Sequence, residues 1–103
     1  MLKDRIKVYS IDEKKCFAMT DNHLEGFSAT NEEINKIKEQ GMTDFFELYD
    51  DDDELYYSGY ANLELMSEEF DQDEFSILDM ATYDSGCTYI KMHSKATGKM
   101  EIV

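Results

Sequence analysis

The chain contains no proline, only two cysteines, and no apolar run near the ~20 residues that a membrane span requires. With no linker to divide its 103 residues, one domain spanning 1–103 is expected. No membrane association is expected. Met1 to Tyr9 carry Lys3, Arg5 and Lys7, but no apolar block follows. A secretory leader is therefore not expected, and the chain reads as cytoplasmic. Cys16 and Cys87 lie far apart, outside any CxxC pattern. A disulfide is compatible with the sequence, but reduced thiols suit a chain without a leader better. Neither cysteine has a histidine close by in sequence to lower its pKa.

Positive charge is missing from half of the chain. Between Glu39 and Ile90 there are 16 acidic residues and no lysine or arginine. Residues 1–38 are balanced, with seven basic and seven acidic side chains. Residues 91–103 carry Lys91, Lys95 and Lys99 against Glu101, and the net charge of the whole chain is -14. Phosphates repel such a chain, which argues against direct binding to nucleic acid. Self-repulsion in the uncompensated half also opposes compaction. Two readings stay open: a solvated coat that keeps the protein in solution, or a negative face for a basic partner. Hydrophobic residues at 42% and aromatics at 13% suffice for a small core, so wholesale disorder is not expected.

Signatures of catalysis are also missing. There is no GxSxG, HExxH, phosphate-binding glycine loop or nucleotide fingerprint. Asp71 and Asp73 would share a face of an extended segment, but any acidic protein offers such pairs. His23 and His93 are the only imidazoles, and His93 closes an expected strand. The run Asp50 to Asp53 invites a calcium reading. Counted from Asp50, Asp52 and Glu54 fit an EF-hand loop, but Leu55 stands at the sixth position and Ala61 at the twelfth. The flanks also read as strands. Adventitious divalent binding there is compatible with packed carboxylates. No metal site, no cofactor and no enzymatic activity are expected.

Periodicity supplies the architecture. Ile6 and Val8 alternate with Lys7 and Tyr9, and a second apolar run covers Cys16 to Thr20, so the charged Asp12 to Lys15 turn closes a hairpin. Asp21 to Ala29 is irregular, with Gly26 as punctuation. Thr30-Asn31-Glu32-Glu33 spells a capping box, Ile34 and Ile37 share a face, Lys36 and Lys38 suit the C-terminal dipole, and Gly41 terminates. A helix from Asn31 to Gln40 follows, with too few apolar residues to stand alone, so it must dock on a sheet. Phe45 to Tyr49 and Glu54 to Tyr60 are strands joined by the aspartate turn. Leu63, Met66 and Phe70 suggest a short helix or turn, followed by an acidic loop to Tyr83 and a turn at Asp84-Ser85-Gly86. Thr88 to His93 and Lys99 to Val103 form a last hairpin across Ala96-Thr97-Gly98. The expected fold is α+β: a mostly antiparallel sheet of three hairpins with one main helix packed on it.

Tyrosine is concentrated where base is absent: Tyr49, Tyr56, Tyr57, Tyr60 and Tyr83 all lie in the acidic half. Tyrosines are ordinary β-formers, and they are also low-entropy interface anchors. Alternation puts Leu55, Tyr57 and Gly59 on one face, expected to be buried, and Tyr56, Ser58 and Tyr60 on the other. The candidate partner-binding residues are Tyr56 and Tyr60 with Asp50, Asp51, Asp52, Asp53, Glu54, Glu68, Glu69, Asp71, Asp73 and Glu74.

The segment Phe45 to Tyr60, FFELYDDDDELYYSGY, resembles one in small acidic proteins of Firmicutes phages and integrative elements. Those combine an aromatic strand, an Asp-rich turn and a Tyr-Tyr return strand. The end of the chain, SGCTYIKMHSKATGKME from Ser85 to Glu101, is similar to the end of the same group. A looser likeness, through Tyr60-Ala61-Asn62-Leu63 after an Asp-Tyr-rich segment, is to the antirestriction DNA-mimic family of mobile elements. The first resemblance implies no known activity. The second implies a nucleic-acid-mimicking inhibitor of a host defence system, whose partner is a basic, nucleic-acid-binding protein surface. The alternative is an accessory or structural domain with acids that only solubilise.

Overall fold

The computed structural model describes the backbone of residues 6–21, 30–94 and 97–103, and within these all side chains except those of 21 and 81–85. The irregular segment with His23 and Gly26, the Tyr83 side chain and Ala96 lie outside the described residues. The elements are β1 (Ile6–Ile11), β2 (Lys14–Asp21), α1 (Asn31–Glu39), β3 (Asp44–Tyr49), β4 (Leu55–Ala61), α2 (Leu63–Phe70), α3 (Glu74–Ser85), β5 (Tyr89–His93) and β6 (Met100–Ile102). The strands form one six-stranded sheet in the order β1-β2-β4-β3-β5-β6, and every pairing is antiparallel. The fold is α+β, as expected. All three hairpins form, and β2–β4 and β3–β5 pairing joins them.

Local chemistry explains the elements. The β1–β2 turn is two residues long, with Asp12 at φ 51 and Glu13 at φ 67, the left-handed pair that matches strand twist in a tight hairpin. In α1 the Thr30 hydroxyl accepts from the Glu33 amide at 3.2 Å, and the Glu33 carboxylate accepts from the Thr30 amide at 3.0 Å. Gly41, at φ 93, follows the helix. Between Asn62 and Ser85 the structure holds two helices, and only 71–73 is loop. The expected acidic loop is thus corrected to α3. Its apolar residues are spread around the axis: Ile77 is buried and Leu78 partly so, while Phe75 and Met80 are exposed. That spread hides the helical period, and the acids that resemble a loop are favourable in a first turn.

Helices cover both faces of the sheet. One face buries Phe17, Met19, Phe46, Leu48, Tyr57 and Ile90 with Met66 of α2 and Ile77 of α3. On the other, Ile6 and Ala18 pack with Ile37 of α1 and Met42. Each fully buried large apolar side chain contributes about 1.5–3 kcal/mol. Gly59 sits between Met19 and Phe46 in the register, and a Cβ there would lie 2.0 Å from the Ala18 carbonyl oxygen. β2 and β4 approach so closely at this point that no side chain fits.

β4 also sets a length scale. Its seven residues span about 23 Å at ~3.3 Å each. Cys16 lies at the Ala61 end, where its carbonyl accepts from the Asn62 amide, and Cys87 lies at the other end, next to Thr88, which bonds the Tyr49 carbonyl. Both cysteines are buried, and neither is disulfide-bonded. Their separation excludes the disulfide that the sequence left open.

Candidate interaction surface

The aspartate turn is built on its first member. The Asp50 carboxylate accepts from the amides of Asp52 at 2.9 Å and Glu54 at 3.0 Å, so it faces its own loop. Asp53 takes a left-handed φ of 60, which an aspartate tolerates better than most residues. Asp51, Asp52, Asp53 and Glu54 are exposed. Among the described residues, no three His, Cys, Asp or Glu side chains form a group that could hold a metal ion.

The other candidate acids lie elsewhere. The 50–54 turn enters β4 at Leu55, whereas Ala61, at the far end, pairs with Phe17 and leads through Asn62 into α2. There Glu69 forms an ion pair with Lys14, beside the β1–β2 turn. Asp71 is the left-handed C-cap of α2. Asp73 caps the start of α3, its carboxylate accepting from the Phe75 amide at 3.0 Å, and Glu74 occupies the first turn of that helix. Glu68 is exposed on α2. The acids form two groups separated by the length of a strand.

The tyrosine pair is also divided. Leu48 pairs with Tyr57 and Tyr49 with Leu55, so Tyr56 is the extra residue of a bulge and strand alternation breaks there. Tyr57 is buried, as the register reading required, but Tyr56 packs against the same core cluster. Tyr60 packs on the α1 side, its ring 5.2 Å from Phe45 and 5.2 Å from the Lys38 ammonium. Tyr56 and Tyr60 therefore do not share a surface.

A different pair does. Tyr49 and Tyr89 are directly opposed on β3 and β5, their rings stacked 5.1 Å apart at 5°. The Tyr89 hydroxyl donates to Asp53 at 2.5 Å, and the Tyr49 hydroxyl donates to Glu47 at 3.1 Å. The Lys91 ammonium lies 4.7 Å from the centre of the Tyr49 ring. The hydrogen bond to Asp53, with burial and the Asp53 charge behind it, pushes the Tyr89 hydroxyl up to about 12. Burial, then the Glu47 charge, raises Tyr49 as well. Tyr49, Glu47, Tyr89 and Lys91 are all partly exposed. Sequence reasoning missed Tyr89 as a site residue. The signal was a tyrosine at the start of a strand that could pair beside β3, but strand order is not written in either strand alone.

One cleft of about 220 Å³ lies between the β1–β2 hairpin and the start of α3, lined by residues including Tyr9, Ile11, Phe17, Gln72 and Met80. Cys16 also borders it, and burial pushes that thiol up, away from the reactive thiolate. No helix among the described residues is long and apolar enough to cross a membrane. In comparisons with known proteins no family model matches the chain, and no curated protein and no solved structure matches it either.

Proposed function

We propose that the protein is a small acidic intracellular binding protein that engages a basic protein surface. In this reading it acts as a nucleic-acid mimic that blocks a defence complex of the host of a mobile element. The observation that carries the reading is the exposed run Asp51 to Glu54 within a 52-residue stretch, 39–90, without lysine or arginine. Carboxylates projecting from a rigid hairpin tip attract a surface evolved for phosphates and repel nucleic acid itself. The reading implies a cytoplasmic location, no enzymatic role and no cofactor. Asp71, Asp73 and Glu74 already serve helix ends, so the face of the proposal is the 50–54 end.

The test is competitive retention. Immobilised protein is exposed to a host lysate at low salt, then challenged with duplex DNA. Nucleic-acid-binding proteins should be retained, and both DNA and high salt should release them. If a variant with Asp51 to Glu54 replaced by Asn and Gln retains the same proteins, the acids only solubilise and the proposal fails.

A further inference from the structure

We infer that the stacked Tyr49–Tyr89 pair is a seat for an arginine side chain of the basic partner, and that Lys91 occupies this seat in the free protein. The inference rests on the binding-protein reading above and names the contact within it. Three features of the geometry support it. The rings stack in parallel planes across β3 and β5, so each braces the other and the pair presents its outer faces as one aromatic unit rather than two isolated side chains. Each hydroxyl donates to a carboxylate, Tyr49 to Glu47 and Tyr89 to Asp53. Donation to an anion pushes electron density into a phenol ring and strengthens its attraction for a cation. A carboxylate has about four lone-pair sites. One hydroxyl uses only one of them, so Glu47 and Asp53 keep acceptor capacity for a second donor.

A cation already sits there. Lys91 reaches 4.7 Å from the Tyr49 ring centre, which shows that this surface accepts positive charge. Lysine is a compact, strongly hydrated point charge on a flexible stem, and a weak occupant of a flat site. Arginine is planar, less hydrated, stacks on aromatic faces and meets carboxylates with a fork of donors. An incoming guanidinium would stack on the Tyr49 ring in place of the Lys91 ammonium and bond at the rim, and the Lys91 stem would swing to solvent. The exposed acids of the 50–54 turn, next to the seat, supply the complementary charge.

The experiment compares oligoarginine and oligolysine peptides of equal length, titrated into the full chain at low salt. Oligoarginine should bind more tightly, and its binding should shift the ring resonances of Tyr49 and Tyr89. Lys91→Met keeps the apolar stem and removes the occupant, so it should tighten oligoarginine binding about threefold more than Lys99→Met, which changes net charge equally. Tyr49→Leu should weaken oligoarginine binding about tenfold, with circular dichroism and thermal melting as controls for the fold. Should Tyr49→Leu disturb the fold, the Lys91→Met and Lys99→Met comparison decides alone. Binding of both peptides with equal affinity, or equal effects of Lys91→Met and Lys99→Met, would overturn the seat and leave the binding-protein reading standing. Absence of binding by either peptide would overturn both.

Discussion

The two acidic groups have nearly the same composition and opposite uses. At the α2–α3 end, Glu69 holds Lys14, Asp71 ends one helix and Asp73 starts the next. At the β3–β4 tip, only Asp50 is consumed by its loop, and Asp53 is spent on Tyr89. Asp51, Asp52 and Glu54 project from the hairpin. An acidic run is therefore not a property that can be read as one surface. Where acids stand at helix ends, the backbone recruits them. Where they stand in a tight turn, geometry turns most of them outward.

The strand between the two groups is the place to break this arrangement outright. Gly59→Ala puts a methyl 2.0 Å from the Ala18 oxygen and 2.8 Å from the Met19 Cα, both backbone atoms that cannot step aside. We expect a loss of ~3 kcal/mol or more, because β2 and β4 must separate at the centre of the sheet. Urea denaturation measures it. A loss below ~1 kcal/mol would mean that the two strands are not held in this register.

Next in size is the helix cap. Asp73→Ala leaves the Phe75 amide without its acceptor and should cost ~1 kcal/mol. The same substitution at Asp51, which is exposed in the turn, should change stability by less than ~0.5 kcal/mol. Equal losses from the two variants in parallel thermal melts would erase the distinction between recruited and projecting acids.

The contrast marks what the sequence could show. Hairpins and α1 were legible because their signals are local: alternation, turn residues and the capping box at Thr30 and Glu33 all act within a few positions. The existence of α3 was not, since its apolar residues make no stripe. The bulge at Tyr56 escaped because it depends on how Leu48 and Tyr49 pair across the ladder, not on the sequence of β4. The Tyr49–Tyr89 stack escaped for a related reason. It arises from β3–β5 pairing, and the two tyrosines stand 40 positions apart.

The Tyr89–Asp53 bond gives a pH-dependent probe of the tip. An unperturbed tyrosine ionises near ~10, whereas Tyr89 is raised to about 12. A raised value means that the fold favours the neutral phenol. This contribution is fully present below pH ~10 and is lost as pH rises from there through about 12. Asp53→Asn removes the charge and tolerates the left-handed backbone, so it should bring the Tyr89 titration down toward the ordinary value. Near-ultraviolet absorbance follows phenolate formation. An unchanged titration curve would detach Tyr89 from the tip, and with it one rim of the proposed arginine seat.

The smallest effect sharpens the comparison most. Asp51→Asn with Asp52→Asn should leave stability nearly unchanged, because both side chains are exposed. Their effect belongs to association: the rate with an oligoarginine peptide should fall, and its salt dependence should flatten. Glu68→Gln removes an exposed acid from the other group. The two groups are separated by about 23 Å, the length of β4 at ~3.3 Å per residue. The screening length is ~10 Å at 0.1 M salt and ~30 Å at 0.01 M. At the higher salt a peptide approaching the tip is screened from the far group, so only the Asp51 and Asp52 substitutions should slow it. At the lower salt the field of both groups reaches the peptide, and Glu68→Gln should slow it too. Stopped-flow association at both salts separates the cases. If Glu68→Gln slows association as much as the tip substitutions at 0.1 M, the peptide is meeting one continuous acidic face, and the tip has no special standing as the contact.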